Sequence, residues 1–121
     1  MSNNLHVVEA KAVGRELLEC QLPVVVIYWD SRDTEHKKRV AEVGSLADEY
    51  EGVVKVLVID AAIMTNWTWM KQSTRYKIHN TPTLQVFKTE SERHGRESPG
   101  FIDRPNFHPG LRAMFRHASR P

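Results

Sequence analysis

Two long apolar runs mark the centre of the chain. Val24–Trp29 reads VVVIYW and residues 53–59 read VVKVLVI, and both runs are rich in β-branched residues. Continuous runs of this composition are typical of strands that are buried on both faces of a sheet. The pattern therefore predicts two central strands, the first of which ends where Asp30 begins a polar stretch.

Apolar residues at helical spacing predict three amphipathic helices around these strands. The first covers residues 9–20, and the second runs from the loop after the first central strand to about Tyr50. The last helix includes residues 111–118. Asp33 or Thr34 is expected to cap the second helix, because short polar side chains accept hydrogen bonds from the free amides of a first turn.

Shorter segments complete the predicted sheet. Residues 5–8 and 84–88 are prone to form strands, and residues 92–98 are expected to form an edge strand although they contain no apolar side chain. With a further helix between the second central strand and residue 84, the element order is βαβαβαββα. This order predicts an α/β fold, and residues 1–121 are expected to form a single domain.

Two motifs in this order match a known family. Tyr28 and Trp29 end the first central strand, and residues 78–83 read Ile-His-Asn-Thr-Pro-Thr. At both motifs the chain resembles the thioredoxin-like superfamily. Tyr76 is a further match, to a tyrosine near the end of the family's third helix. The resemblance implies a central mixed β-sheet with helices on both faces. It also implies a cis peptide bond between Thr81 and Pro82.

The residues of the family's redox chemistry are missing. The two cysteines of the family's CxxC motif correspond here to Asp33 and His36, and the chain contains one cysteine, Cys20. Dithiol–disulfide exchange needs an attacking thiolate and a second thiol that resolves the mixed disulfide. The family's buried aspartate corresponds to Ile27. We therefore expect a redox-inactive protein without catalytic residues, which is not an enzyme.

A binding function does not need these cysteines. In the family, the residue before the cis-proline pairs through its backbone with an extended substrate segment, and Thr81 holds that position here. The resemblance therefore implies a protein scaffold, chaperone or regulatory subunit that binds a protein or an extended peptide. Trp67 and Trp69, in a stretch that is longer than in thioredoxin, either extend this surface or fill the core. The predicted binding residues are Trp29, Arg32, Asp33, His36, Trp67, Trp69, Thr81 and Pro82.

An enzyme of another kind is the alternative. Asp33, His36 and His79 could converge, because the segment before the proline faces the start of the second helix. Three such groups could hold a metal ion or act as an acid–base pair. Asp33 as a helix cap and His36 as a surface residue require neither role. The sequence has no glycine-rich phosphate loop, HExxH motif or nucleophile elbow, and we expect no metal and no cofactor.

Charge is uneven along the chain. From Arg93 onward there are six arginines and no lysine against Glu97 and Asp103, a local net charge of +4, whereas the whole chain has +2. A solvated basic face is one interpretation, and an acidic partner or nucleic acid is the other. Because the superfamily includes a small redox-inactive spliceosomal component, a nucleoprotein role is left open.

The remaining composition favours a cytoplasmic protein. No apolar stretch approaches the roughly 18 residues of a membrane-spanning helix, so we expect no membrane contact. The N-terminus lacks the basic start and apolar run of a secretory signal. A single cysteine fits a reducing compartment.

Overall fold

A five-stranded mixed sheet forms the centre of the computed structural model, which describes residues 3–72 and 78–121. The strand order is β1-β3-β2-β4-β5. β1 and β2 each pair in parallel with β3, whereas β4 is antiparallel to β2 and to β5. The strands are β1 (Leu5–Val7), β2 (Val24–Trp29), β3 (Lys55–Asp60), β4 (Thr83–Phe87) and β5 (Gly100–Ile102).

The described residues contain five α-helices, four between consecutive strands and one after the last strand. They are α1 (Val13–Glu19), α2 (His36–Glu49), α3 (Met64–Gln72), α4 (Glu90–Arg93) and α5 (Phe107–Ser119). Short 3₁₀ helices at Ala10–Ala12 and Arg104–Asn106 lead into α1 and α5. Within the described residues, no helix is both long and apolar enough to cross a membrane.

The central strands are buried on both faces, as their apolar runs predict. All six residues of β2 are buried. Val25, Ile27 and Trp29 point into a core that α2 and α5 cover. The alternate residues of β2 point into a second core on the other face, which includes residues of α1 and α3. The prediction of a mixed sheet between two helical layers is therefore confirmed.

The predicted edge strand at residues 92–98 is wrong. Glu90–Arg93 form α4 instead, because Thr89 and Glu92 make a capping box at its start. The Thr89 Oγ1 accepts from the Glu92 amide at 3.1 Å, and the Glu92 carboxylate accepts from the Thr89 amide at 2.8 Å. The edge strand is β5, which is only three residues long and begins at Gly100.

The start of α2 also differs from its prediction. The residue that precedes the helix is Glu35, and its side chain makes no capping hydrogen bond. Asp33 lies outside the helix, and its carboxylate accepts from the Glu35 amide at 2.9 Å, which forms a turn before the first helical residue. The predicted match at Tyr76 lies outside the described residues.

Candidate functional site

A cleft lies where the carboxyl ends of β2 and β3 meet the segment that leads into β4. This is the edge at which open α/β sheets bind ligands. The peptide bond between Thr81 and Pro82 is cis, as the resemblance implies. The cleft has a volume of about 270 Å³. The residues that line it are Asp30, Arg32, Ala61, Ala62, Met64, Trp67 and Thr81.

One rim of the cleft is an ion pair between Arg32 and Asp30. The Arg32 Nε and Nη2 donate to the two carboxylate oxygens of Asp30 at 3.0 and 2.7 Å. The Arg32 amide also donates to Asp30, at 2.9 Å. Hydrogen bonds from the Arg32 side chain are the main reason that the pKa of Asp30 falls from 3.8 to about 2. Asp30 is therefore ionised at neutral pH, and it orients a guanidinium whose side chain is 73% exposed.

The loops after β2 and β3 share one carboxylate. The Asp60 Oδ1 accepts from the Ser31 amide and from the Ala62 amide, each at 3.0 Å. Burial raises the pKa of Asp60, but the hydrogen bonds from Ser31 and Ala62 more than offset burial and hold the pKa below its usual value. Asp60 is therefore an ionised anchor for both loops.

The opposite wall of the cleft comes from α3. Met64 is 73% exposed, and Trp67 is half-buried. The Lys71 ammonium lies 5.5 Å from the centre of the Trp67 ring, within the range of a cation–π interaction. This wall exposes apolar side chains at the edge of the cleft, a feature typical of protein-binding sites.

Asn66 fixes α3 against the sheet. Its side chain is 4% exposed. The Oδ1 accepts from the Ala10 amide at 2.9 Å, and the Nδ2 donates to the Asp60 carbonyl at 3.1 Å. A buried asparagine with both ends satisfied sets the position of Trp67, the next residue in the helix.

Trp67 and Trp69 lie at different sites. Trp69 is 51% exposed and lines a second cavity of about 260 Å³ with Glu9, Lys11, Thr65 and Asn66. Residues two apart do not share a face of a helix. The two tryptophans are therefore not one surface: Trp67 lies in the cleft beside Thr81, and Trp69 does not line it.

The prediction that Trp29 contributes to a binding surface is wrong. Its side chain is only 5% exposed and belongs to the core under α2 and α5. His36 lies against it edge to face, with ring centres 5.0 Å apart. The His36 Nδ1 is buried and has no hydrogen-bond partner among the residues that the structure describes. Both rings pack at the start of α2, and neither lines the cleft.

Asp33 forms ion pairs with two arginines away from the cleft. Its carboxylate lies 2.9 Å from an Arg39 nitrogen and 3.9 Å from an Arg104 nitrogen. The hydrogen bond from the Glu35 amide, followed by that from Arg39, keeps the pKa of Asp33 below its usual value. This carboxylate therefore ties α2 to the segment before α5, and it does not line the cleft.

These contacts contradict the alternative of a metal site at Asp33, His36 and His79. All three residues belong to the part of the chain that the structure describes, and within that part no three His, Cys, Asp or Glu side chains could hold a metal ion. Asp33 is paired with arginines, and His79 is exposed.

Of the predicted binding residues, Arg32, Trp67 and Thr81 line the cleft together. Pro82 follows Thr81 and is buried. Sequence reasoning missed the other cleft residues: Asp30, Ala61, Ala62 and Met64. Their position in the chain could have identified two of them, since Asp30 and Ala61 directly follow the two central strands.

Comparisons with known proteins agree on the fold. Thioredoxin f from spinach chloroplast (short form) has a TM-score of 0.70 at 20% identity, over 96% of this chain and 94% of that one. Thioredoxin O2 from Arabidopsis thaliana in the oxidised state has a TM-score of 0.72 at 15% identity, over 99% and 98%. A designed protein has a TM-score of 0.67 at 18% identity, over 93% and 94%.

The chain therefore has a thioredoxin-like fold. No protein-family model matches the sequence, and a search of the curated proteins found no significant match. Likeness at these identities concerns architecture alone, so function has to be argued from the site.

Proposed function

We propose that this chain is a redox-inactive thioredoxin-fold protein that binds an extended segment of a partner protein in the cleft. It acts as a scaffold, chaperone or regulatory subunit, in a cytoplasmic setting. The single cysteine supports the absence of dithiol chemistry, because no second thiol of the same chain can resolve a mixed disulfide.

The observation that carries the proposal is the backbone at Thr81. No hydrogen bond among the described residues uses the Thr81 amide or carbonyl, and pairing of β4 with β2 begins only at Thr83. Thr81 is partly exposed at the cleft. An unpaired backbone segment next to a strand accepts an added strand from a partner through main-chain hydrogen bonds.

Side chains around Thr81 indicate what the partner presents. Ala61, Ala62, Met64 and Trp67 offer an apolar wall on one side of the cleft. On the other side, the Asp30–Arg32 pair is compensated internally and adds little net charge. The partner segment is therefore extended and places an apolar side chain against Trp67 and Met64. Methionine adapts to several apolar shapes, so this contact tolerates different residues.

A peptide selection with two variants tests the proposal. A displayed library of short unstructured peptides is selected on the wild-type protein, and the affinities of the selected peptides are measured by calorimetry. Thr81→Pro removes the backbone donor and is expected to abolish binding, whereas Thr81→Ala keeps the donor and is expected to bind like the wild type.

A second variant tests the cleft in case Thr81→Pro misfolds. Ala62→Gln fills the cleft from an intermediate surface position and leaves the Thr81 backbone unchanged. We expect it to weaken the same peptides while circular dichroism remains that of the wild type. If folded Thr81→Pro and Ala62→Gln proteins both retain wild-type affinity, the cleft is not the binding site. A library that yields no binder also contradicts the proposal.

A further inference from the structure

The outer face of α5 carries basic side chains and no acidic side chain of its own. After Asp103 the sequence has four arginines and two histidines, and no Asp or Glu. Five of these residues follow each other at intervals of four: Arg104, His108, Arg112, Arg116 and Arg120. All five are exposed.

Within the described chain, the first three residues of this basic series face carboxylates, whereas the last two do not. Arg104 lies 3.9 Å from Asp33, His108 lies 2.7 Å from Glu42, and Arg112 lies 3.0 Å from Glu49. An interval of four residues exceeds one helical turn, so the series winds away from its neighbours. Arg116 and Arg120, at the far end, have no carboxylate within ion-pair distance among the described residues.

Arg120 continues the series although it follows the last helical residue. Its amide still donates to the Arg116 carbonyl at 3.2 Å, so the chain keeps its helical path to this point. Arg112, Arg116 and Arg120 thus follow one another at steps of about 6 Å along the axis. Apart from its arginines, the exposed residues of α5 are His108, Pro109, Ala113 and His117.

We propose that Arg112, Arg116 and Arg120, which we call the arginine face of α5, bind the phosphate backbone of a nucleic-acid duplex. Arginine presents a planar fork of donors that fits phosphate oxygens. No large apolar residue of α5 is exposed, so the face lacks the aromatic and aliphatic anchors on which protein interfaces depend. A contact made of charge alone is typical of binding to nucleic acid without sequence preference.

The arginine face and the cleft are separate surfaces. α5 covers the sheet face that carries Val25 and Ile27, whereas the cleft wall comes from α3 on the other face. The two proposals can therefore fail independently, because neither test uses a variant of the other.

Fluorescence anisotropy with a labelled 20-base-pair duplex, recorded at several salt concentrations, tests the proposal. The expected result is binding at low salt that weakens as salt rises, because each phosphate contact releases counterions. Arg116→Ala/Arg120→Ala is expected to lower the slope of log K against log salt by about 1.8, from about 0.9 per contact. Within residues 3–72 and 78–121, neither side chain takes part in an ion pair whose loss would disturb the fold.

The matched control removes two positive charges from the other face of the sheet. Lys11→Ala/Arg15→Ala changes exposed residues at and before α1, and the slope is expected to stay that of the wild type. Duplex DNA and duplex RNA are measured in parallel to identify which backbone binds better. Thermal melts are used to check that both variants remain folded, since cations near a helix C-terminus also stabilise the helix.

Any one of several outcomes would overturn the proposal. They are no binding of either duplex at low salt, a slope for the Arg116→Ala/Arg120→Ala protein equal to that of the wild type, and equal loss of binding in the control. Competition by polyglutamate as strong as that by unlabelled duplex would also overturn it, because an acidic protein would then fit as well as a phosphate backbone.

Discussion

Trp67 and Trp69 are two residues apart on α3 and line different cavities. Trp67 is half-buried in the cleft beside Thr81, and Trp69 lies near Glu9 and Lys11. This separation follows from helical geometry, and it provides a matched pair of variants for the proposed site.

Trp67→Ala is expected to weaken a cleft-binding peptide by roughly thirtyfold, the factor that corresponds to the loss of about 2 kcal/mol at a tryptophan hot spot. Trp69→Ala is expected to leave the affinity unchanged. Calorimetry with the peptides selected on the wild type makes the comparison. An equal loss in both variants would show that α3 acts through its overall stability rather than through the cleft wall.

Asp30 is expected to titrate at a pH of about 2, below its ordinary pKa of 3.8, because Arg32 stabilises its ionised form. Since the folded pKa is lower than the unfolded one, the stability that this carboxylate contributes is present above the unfolded pKa and is lost as pH falls toward 2. Arg32→Gln should move the pKa of Asp30 up toward 3.8. Carbon-detected NMR of the carboxyl group over an acid titration measures this change.

Arg104→Gln is the control for this titration, because Arg104 faces Asp33 rather than Asp30. The pKa of Asp30 should be the same as in the wild type. A pKa of Asp30 that stays near 2 without Arg32 would assign the effect to the backbone amide of residue 32, which the variant retains.

Asn66→Ala is expected to lower the free energy of unfolding by roughly 1–3 kcal/mol, because it leaves the Ala10 amide and the Asp60 carbonyl without their buried partner. Thr65→Ala, at the exposed neighbouring position, should change the free energy by no more than about 0.5 kcal/mol. Urea denaturation compares the two. If Asn66→Ala lowers the free energy of unfolding as little as Thr65→Ala does, water replaces the asparagine amide.

Disulfide reductase activity is expected to be no higher than that of an equal concentration of a simple monothiol. Cys20 is the only thiol, so a mixed disulfide formed on it has no resolving partner in the chain. Cys20→Ser should lose only this background. A dithiol-dependent turnover well above the monothiol control would contradict the redox-inactive assignment.

Several elements of the fold could be predicted because they depend on local pattern. The VVVIYW run identified a strand buried on both faces. The cis bond at Pro82 was expected from the resemblance of residues 78–83 to the thioredoxin-like superfamily, and the structure contains it. The same continuous run could not show which residues face which layer. The run indicated that Trp29 is buried, and the structure shows that its side chain faces the core under α2 and α5 and does not line the cleft.

Other features depend on contacts between distant residues. The Asn4 Nδ2 donates to the carbonyls of Ala47 and Val54, at 3.0 and 2.7 Å, and no local pattern indicates such a bond. The helix at residues 90–93 was different, since Thr89 and Glu92 have the spacing of a capping box. The capping box could have been recognised in the sequence, and it is a stronger indication of a helix than the weak strand propensity of these residues is of a strand.

The shared carboxylate of Asp60 has a mechanical consequence. Because a single oxygen accepts from both Ser31 and Ala62, the two sides of the cleft that these loops build cannot separate without breaking a hydrogen bond. The spacing of these two loops is thus held by hydrogen bonds within the chain. In the proposed function, these hydrogen bonds hold the two loops in place before a partner segment binds, and only the exposed Met64 side chain adapts to the apolar residue of that segment.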